Sequence, residues 1–303
     1  MSRLRRLVKR SRPRFWLYLA GPVIVGVAYG ASDVPDLFSA PALVLFAYFL
    51  LPANVFLYGV NDVFDADIDT ENPKKEDREV RYTGDRLVVS LVVVSALAGL
   101  AIAAWLPAAA PWIVGFIFLG AAYSAPPLRL KTTPPLDSVS NGLYVLPGVA
   151  AYAALAGVNP PLEAIVGGWL WTMAMHTFSA IPDIEPDRRA GIQTLATVLG
   201  RRGTLAYCGG VWLLAAGAFA LLDLRGGGLL LLYPALVLGW EAGGIDIDRA
   251  YWYYPVINTF VGMVLTLGGL WRIVPPDAVL AVTSLLFTTE VLPISGPWGL
   301  IHG

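Results

Sequence analysis

The sequence predicts an all-α protein, a single bundle of about nine helices that cross a membrane. Three observations predict it. The 303-residue chain is 56% hydrophobic, and its apolar runs recur almost to the end, which suits repeated membrane crossing better than one soluble core. Its Lys and Arg residues gather in alternate connections between those runs. Two acidic clusters, "NDVFDADID" at 61–69 and "DIEPD" at 183–187, close apolar segments on the same side as the basic residues.

Taken in order, positions 1–14 are a basic segment, and 15–303 form one transmembrane domain. The apolar stretch after the basic start runs on for roughly 17 residues, long enough to span when tilted. More spans follow it rather than a soluble domain, so it reads as the first transmembrane helix and not as a secretory signal. Apolar segments bounded by charged, Pro or Gly clusters fall at 15–31, 40–60, 87–105, 111–124, 138–157, 164–181, 204–222, 227–240 and 255–273. The eighth is short. A tenth candidate at 277–295 contains Thr288, Thr289, Glu290 and Pro293, so a re-entrant or interior path is open to it.

Basic residues precede span 1 (Arg3, Arg5, Arg6, Lys9, Arg10, Arg12, Arg14) and follow span 2 (Lys74, Lys75, Arg78, Arg81, Arg86), span 4 (Arg129, Lys131) and span 6 (Arg188, Arg189, Arg201, Arg202). With nine spans all four groups share one face, and the loops between spans 1–2, 3–4 and 5–6 hold no Lys or Arg. The positive-inside rule makes that face cytoplasmic, which predicts a multi-pass cell-membrane protein with its N-terminus and acidic motifs inside. The single cysteine, Cys208, excludes an internal disulfide and any cysteine metal cluster; in an apolar run it reads as a small packing residue.

On a helix, Asn61, Asp65 and Asp69 fall within roughly 80° of one another, with Asp62 beside them and Asp67 pointing away. Like charges at i, i+4 repel, and an unpaired acidic cluster at membrane depth is costly, so a cation is expected to offset them. Four spans later the chain returns to the same face with Asp183 and Asp187 at i, i+4; Glu185 points the other way if that turn is helical, and Pro182 and Pro186 put the local helix in doubt. Two oxygen-rich sets of this kind suit Mg²⁺, which takes few carboxylates and completes its shell with water and substrate phosphate. "YSAPPLRLKTTPP" supplies Tyr123, Arg129 and Lys131 on the same face as donors to phosphate oxygens, and Arg78 and Arg188 lie on neighbouring basic loops. These parts match the ionisation of an allylic diphosphate: cations neutralise the leaving group while an apolar bundle keeps water from the carbocation.

"NDVFDADID" resembles the first aspartate motif of the UbiA superfamily of intramembrane prenyltransferases, and "DIEPD" with "RRAGIQTLATVLG" resembles its second. The resemblance covers roughly 15–273. It implies a nine-helix bundle with a central cavity open to lipid, a prenyl diphosphate donor, and Mg²⁺ held by Asn61, Asp65, Asp69, Asp183 and Asp187, with Asp62 also matching a motif position. Asp65, Asp183 and Tyr123 are then the candidate catalytic residues. The stretch "NPKK" at 72–75, "YSAPPLRLK" and "DIEPDRRAGIQT" look like the lycopene elongase branch, whose members extend carotenoid ends. That likeness implies attack of the terminal double bond of lycopene on a dimethylallyl cation, leaving a tertiary cation at C1. Water capture gives the hydroxylated end of bacterioruberin-type C50 carotenoids, and proton loss an alkene.

Other acceptors remain open: an isoprenoid glyceryl phosphate, a quinone precursor or a chlorophyll-type alcohol. A cation transporter is the alternative from another class, but it requires carboxylates near the bilayer midplane on broken helices. Expected partners are the donor, a carotenoid or other apolar lipid acceptor and membrane lipid, with no nucleic acid; a protein partner is left open. Tyr58, one turn before Asn61, and Asn141 in span 5 are candidates for the cavity wall. His176, in span 6 before Asp183, reads either as a base for the final step or as a hydrogen-bonded structural residue. "YWYYP" at 251–255 reads as an interfacial aromatic belt, and "GGG" at 226–228 as a turn.

Overall fold

The computed structural model describes residues 12–64, 86–244, 246–275 and 277. Among these, regular structure is helical: α1 Trp16–Gly30, α2 Ala40–Leu50, α3 Pro52–Phe64, α4 Arg86–Trp105, α5 Ala110–Ser124, α6 Leu136–Val139, α7 Leu146–Ala156, α8 Leu162–Ser179, α9 Ile184–Arg189, α10 Leu195–Leu222, α11 Leu224–Leu230, α12 Leu232–Ala242 and α13 Ile247–Leu270. Each apolar segment predicted between 15 and 273 meets helix; the tenth candidate, apart from Asp277, lies outside the described residues. Among the described residues, five helical stretches, at 40–64, 86–105, 136–156, 195–222 and 250–270, are long and apolar enough to cross a membrane, and α1 and α5 are shorter apolar helices.

Neighbouring helices pack in chain order, α3 on α4, α4 on α5 and α8 on α10, and α13 returns to α1. Helices α1 and α7 cross closely at two glycines. A methyl group on Gly26 would run into the Gly148 carbonyl oxygen, and one on Gly148 would lie 2.7 Å from the Pro22 oxygen. Small residues permit such approach where lipid tails, as apolar as any side chain, give helices no hydrophobic reason to associate. Two cores result: Leu19, Phe49, Phe116 and Leu143 in the first half, and Phe178, Trp212, Tyr233 and Tyr254 in the second. Val94, Leu97, Leu214, Leu238 and Val256 face outward, so the bundle's outer surface is apolar as well.

Several predicted spans are broken, for local reasons. Span 2 divides at Leu51, where Pro52 has no N–H to continue the ladder, and the Asn54 amide donates to the Phe49 and Leu50 carbonyls at 2.9 and 3.0 Å. Span 5 becomes α6, a 3₁₀ turn at Ser140–Tyr144 and α7. There the Trp169 indole lies in the space a side chain on Gly142 would need and donates to the Val139 carbonyl at 2.9 Å. Span 7 begins earlier than its apolar run, at Leu195, because Thr194 and Thr197 form a capping box, and it kinks at Gly200 with φ 66°. The reading of Gly226–Gly228 as a turn is corrected: they lie inside α11, started by Asp223, whose carboxylate accepts from the Arg225 N–H at 2.9 Å. "YWYYP" divides its faces, with Trp252 and Tyr253 outward and Tyr254 fully buried.

Candidate active site at one end of the bundle

The first acidic motif leaves the C-terminal end of α3. Asn61 accepts at Oδ1 from the Ser124 hydroxyl at 3.0 Å and from Lys131 Nζ at 3.2 Å. Arg129 donates to the Phe64 carbonyl at 3.3 Å, placing a cation at the negative end of α3, and its backbone takes the left-handed conformation at φ 39°. The basic loop after α5 is thereby folded onto the end of the helix that carries the first motif. Asp62 is buried and accepts from Arg12 at 3.4 Å; the same guanidinium lies 4.6 Å from the centre of the Tyr58 ring. Tyr58 is itself buried, one turn before Asn61. Asp65, Asp69 and Arg78 lie outside the described residues.

The second motif follows α8 through a 3₁₀ turn, Ile181–Asp183, into α9. Its two prolines fit because each sits in the first turn of its element, where backbone N–H groups have no partner inside the helix. Asp183 and Asp187 are therefore held on short helical turns, both partly exposed, while Glu185 points outward and accepts from Arg188 at 3.1 Å. Arg188 also donates to the Thr197 carbonyl at 2.7 and 3.2 Å, clamping α9 to α10.

The two motifs are tied through α5. Tyr123, next to Ser124, places its hydroxyl 2.9 Å from His176 Nε2 on α8. Hydrogen bonds thus run from Asn61 to Ser124 at the end of α5, and from its neighbour Tyr123 to the helix that leads into Asp183. Asn141 is buried and gives its amide to the Asp137 carbonyl, which makes it a brace within the break of span 5.

Asp137 itself escaped the sequence reading. Its Oδ2 accepts from the Leu195 N–H at 2.8 Å, fixing the start of α10 just beyond the second motif, and Ser138 beside it bonds Tyr207 and Thr177 at 2.9 and 2.7 Å. The signal was present: an acid at the head of an apolar span needs a partner. Replacing Asp137 with Ala leaves the Leu195 N–H unpaired in the interior, at a cost of about 1–3 kcal/mol. Asp137→Ala should lower the unfolding midpoint in detergent and slow turnover together; a variant unchanged in both would show that this bond does not position the second motif.

Among the described residues no three His, Cys, Asp or Glu side chains gather into a metal-binding group. The oxygen donors present, Asn61, Asp62, Asp183 and Asp187, are of the hard type that a small divalent cation takes with water and phosphate.

A helical membrane bundle with basic loops folded over oxygen-rich motifs at its end is the architecture of an intramembrane prenyltransferase, and the chain belongs to the UbiA prenyltransferase family, whose model matches residues 19–253. It is a multi-pass membrane protein. Among its relatives, the lycopene elongase/hydratase of Haloferax volcanii is 65% identical over 274 residues, 90% of this chain and 91% of that protein. That of Halobacterium salinarum is 63% identical, over 87% of this chain and 96% of that protein. The fold matches a UbiA homolog from Archaeoglobus fulgidus bound to DMAPP and Mg²⁺, with a TM-score of 0.71 and 18% identity over 88% of this chain and 99% of that one.

Proposed function

We propose that this protein is a Mg²⁺-dependent prenyltransferase that moves a C5 unit from dimethylallyl diphosphate to the ends of lycopene, with hydration at C1, towards bacterioruberin-type C50 carotenoids. The observation that carries the acceptor is the 65% identity to a lycopene elongase/hydratase, spread over nearly the whole of both chains. The site supports the donor. Arg129 and Lys131 are folded onto the end of α3, where a diphosphate would meet cationic and N–H donors beside the first motif.

In this reading Asn61, Asp62, Asp65, Asp69, Asp183 and Asp187 hold the metal ions. When bound, Mg²⁺ supplies charge neutralisation for the departing diphosphate. The chain's own residues do the rest. Lys131, Arg129, Arg78 and Arg188 orient the diphosphate, and Arg12 and Tyr58 cover the first motif from the N-terminal side. The apolar bundle receives the carotenoid end and limits the access of water to the cation. In this reading residues 15–303 act as one domain, and the positive-inside rule supports a cytoplasmic position for this face.

Purified protein in liposomes, supplied with labelled dimethylallyl diphosphate and Mg²⁺, should label lycopene in preference to a quinone precursor, a chlorophyll-type alcohol or an isoprenoid glyceryl phosphate. Chelation should stop the transfer. Preferred labelling of any of those other acceptors, or undiminished turnover with excess chelator, would refute the assignment.

A further inference from the structure

Tyr123 and His176 are joined by a hydrogen bond of 2.9 Å, with their rings edge to face at 88°. Tyr48, bonded to the Ser95 carbonyl, and Tyr233, bonded to Asn258, link helices from buried positions. Tyr123 and His176 differ in two respects. Both are only half-buried, and they lie near the two acidic motifs: Ser124, next to Tyr123 at the end of α5, holds Asn61 of the first, and α8 leads into Asp183 of the second two turns beyond His176. An imidazole inside an apolar span is costly, which favours a role beyond packing. It is also a neutral proton acceptor among groups otherwise occupied with cations and phosphate.

We propose that Tyr123 and His176 form the proton relay of the hydration step; this rests on the function proposed above. By then the C–O bond of the donor has broken, the diphosphate has left with the electron pair, and the new C–C bond has left a tertiary cation at C1 of the acceptor. Water is the co-reactant. Its oxygen bonds C1 as one of its O–H bonds breaks. That proton passes to the Tyr123 oxygen while the phenol proton passes to His176 Nε2, so the charge moves from carbon to imidazolium. Tyr123 touches the water, and His176 acts through Tyr123. Without the relay the cation loses a proton from a neighbouring carbon, and the end group leaves as an alkene.

The test is the fraction of prenylated carotenoid that carries the hydroxyl, read by chromatography and mass from a lycopene-accumulating host. Wild type and His176→Gln are compared, each shown to be folded by gel filtration in detergent. A Gln at 176 still offers a hydrogen bond to Tyr123 but takes no proton, so a purely structural pair would survive it. The hydroxylated fraction should fall at least about tenfold in the variant, with alkene ends in its place. An unchanged fraction overturns the relay, and so does a folded His176→Gln protein that makes no prenylated product. Should the variant not fold, the wild-type protein assayed in heavy water decides. The ratio of hydroxyl to alkene ends should drop, because a proton from water moves in the step, and an unchanged ratio overturns the proposal. Wild-type protein that makes no prenylated product at all overturns instead the reading on which the relay rests.

Discussion

Asp183→Asn is expected to cut prenyl transfer by more than about 100-fold while leaving the protein folded in detergent. The substitution keeps size and shape and removes one negative charge. Asp183 ends a 3₁₀ turn and is partly exposed, so it contributes little to the core. Its assigned task is to bind a cation whose charge offsets that of the leaving diphosphate, and a neutral amide is a much weaker ligand for a hard divalent ion. Turnover of purified protein with labelled dimethylallyl diphosphate checks this, beside gel filtration of the same sample. Activity within a few-fold of wild type would remove Asp183 from the metal set. The same substitution at Asp65 carries the same expectation.

Gly26→Val should give the largest loss of stability, about 3 kcal/mol or more. Even a Cβ at position 26 meets the Gly148 carbonyl, which belongs to the backbone of α7 and has no rotamer by which to withdraw. Helix α1 would be forced away from α7, and its contact with α13 would be disturbed with it. Gly21→Ala is the natural control. It lies on the same helix, no atom approaches a Cβ there within 4 Å, and alanine is the better helix former. Unfolding midpoints in detergent should fall sharply for the first and stay level or rise for the second. Equal midpoints would mean that the close crossing does not hold the first half of the bundle together.

The positions of the spans were legible because length and hydropathy alone define them. The breaks within them were not, because in a membrane the outer face of a helix is as apolar as the buried face, and periodicity carries little information. Span 5 illustrates this: its 3₁₀ turn at Ser140–Tyr144 lies where Trp169 of α8 occupies the space over Gly142, a contact that the run itself does not reveal. The glycines at 226–228 read as a turn, but Asp223 starts a helix there, and Gly227 packs against Ala216 and Ala220.

The site was legible in its parts and not in its pairings. Asn61 and Lys131 were both singled out, yet nothing in their spacing shows that the lysine donates to the asparagine. Tyr123 and His176 were likewise weighed one at a time, and only the folded chain joins their side chains. Asp137 carried no motif; its meaning lies in a bond to Leu195 across 58 positions. The expectation that a cation would offset the first acidic cluster finds a partial answer in Arg12, which the sequence offered only as one of many basic residues before span 1.

The central claim is that this bundle prenylates lycopene at the acidic site. The most direct measurement is chromatography of the pigments from a lycopene-accumulating host that expresses the wild-type chain, with an Asp183→Asn culture alongside. The account predicts new C45 and C50 carotenoids in the first culture and none in the second. Unchanged lycopene in the presence of well-expressed, folded wild-type protein would contradict it.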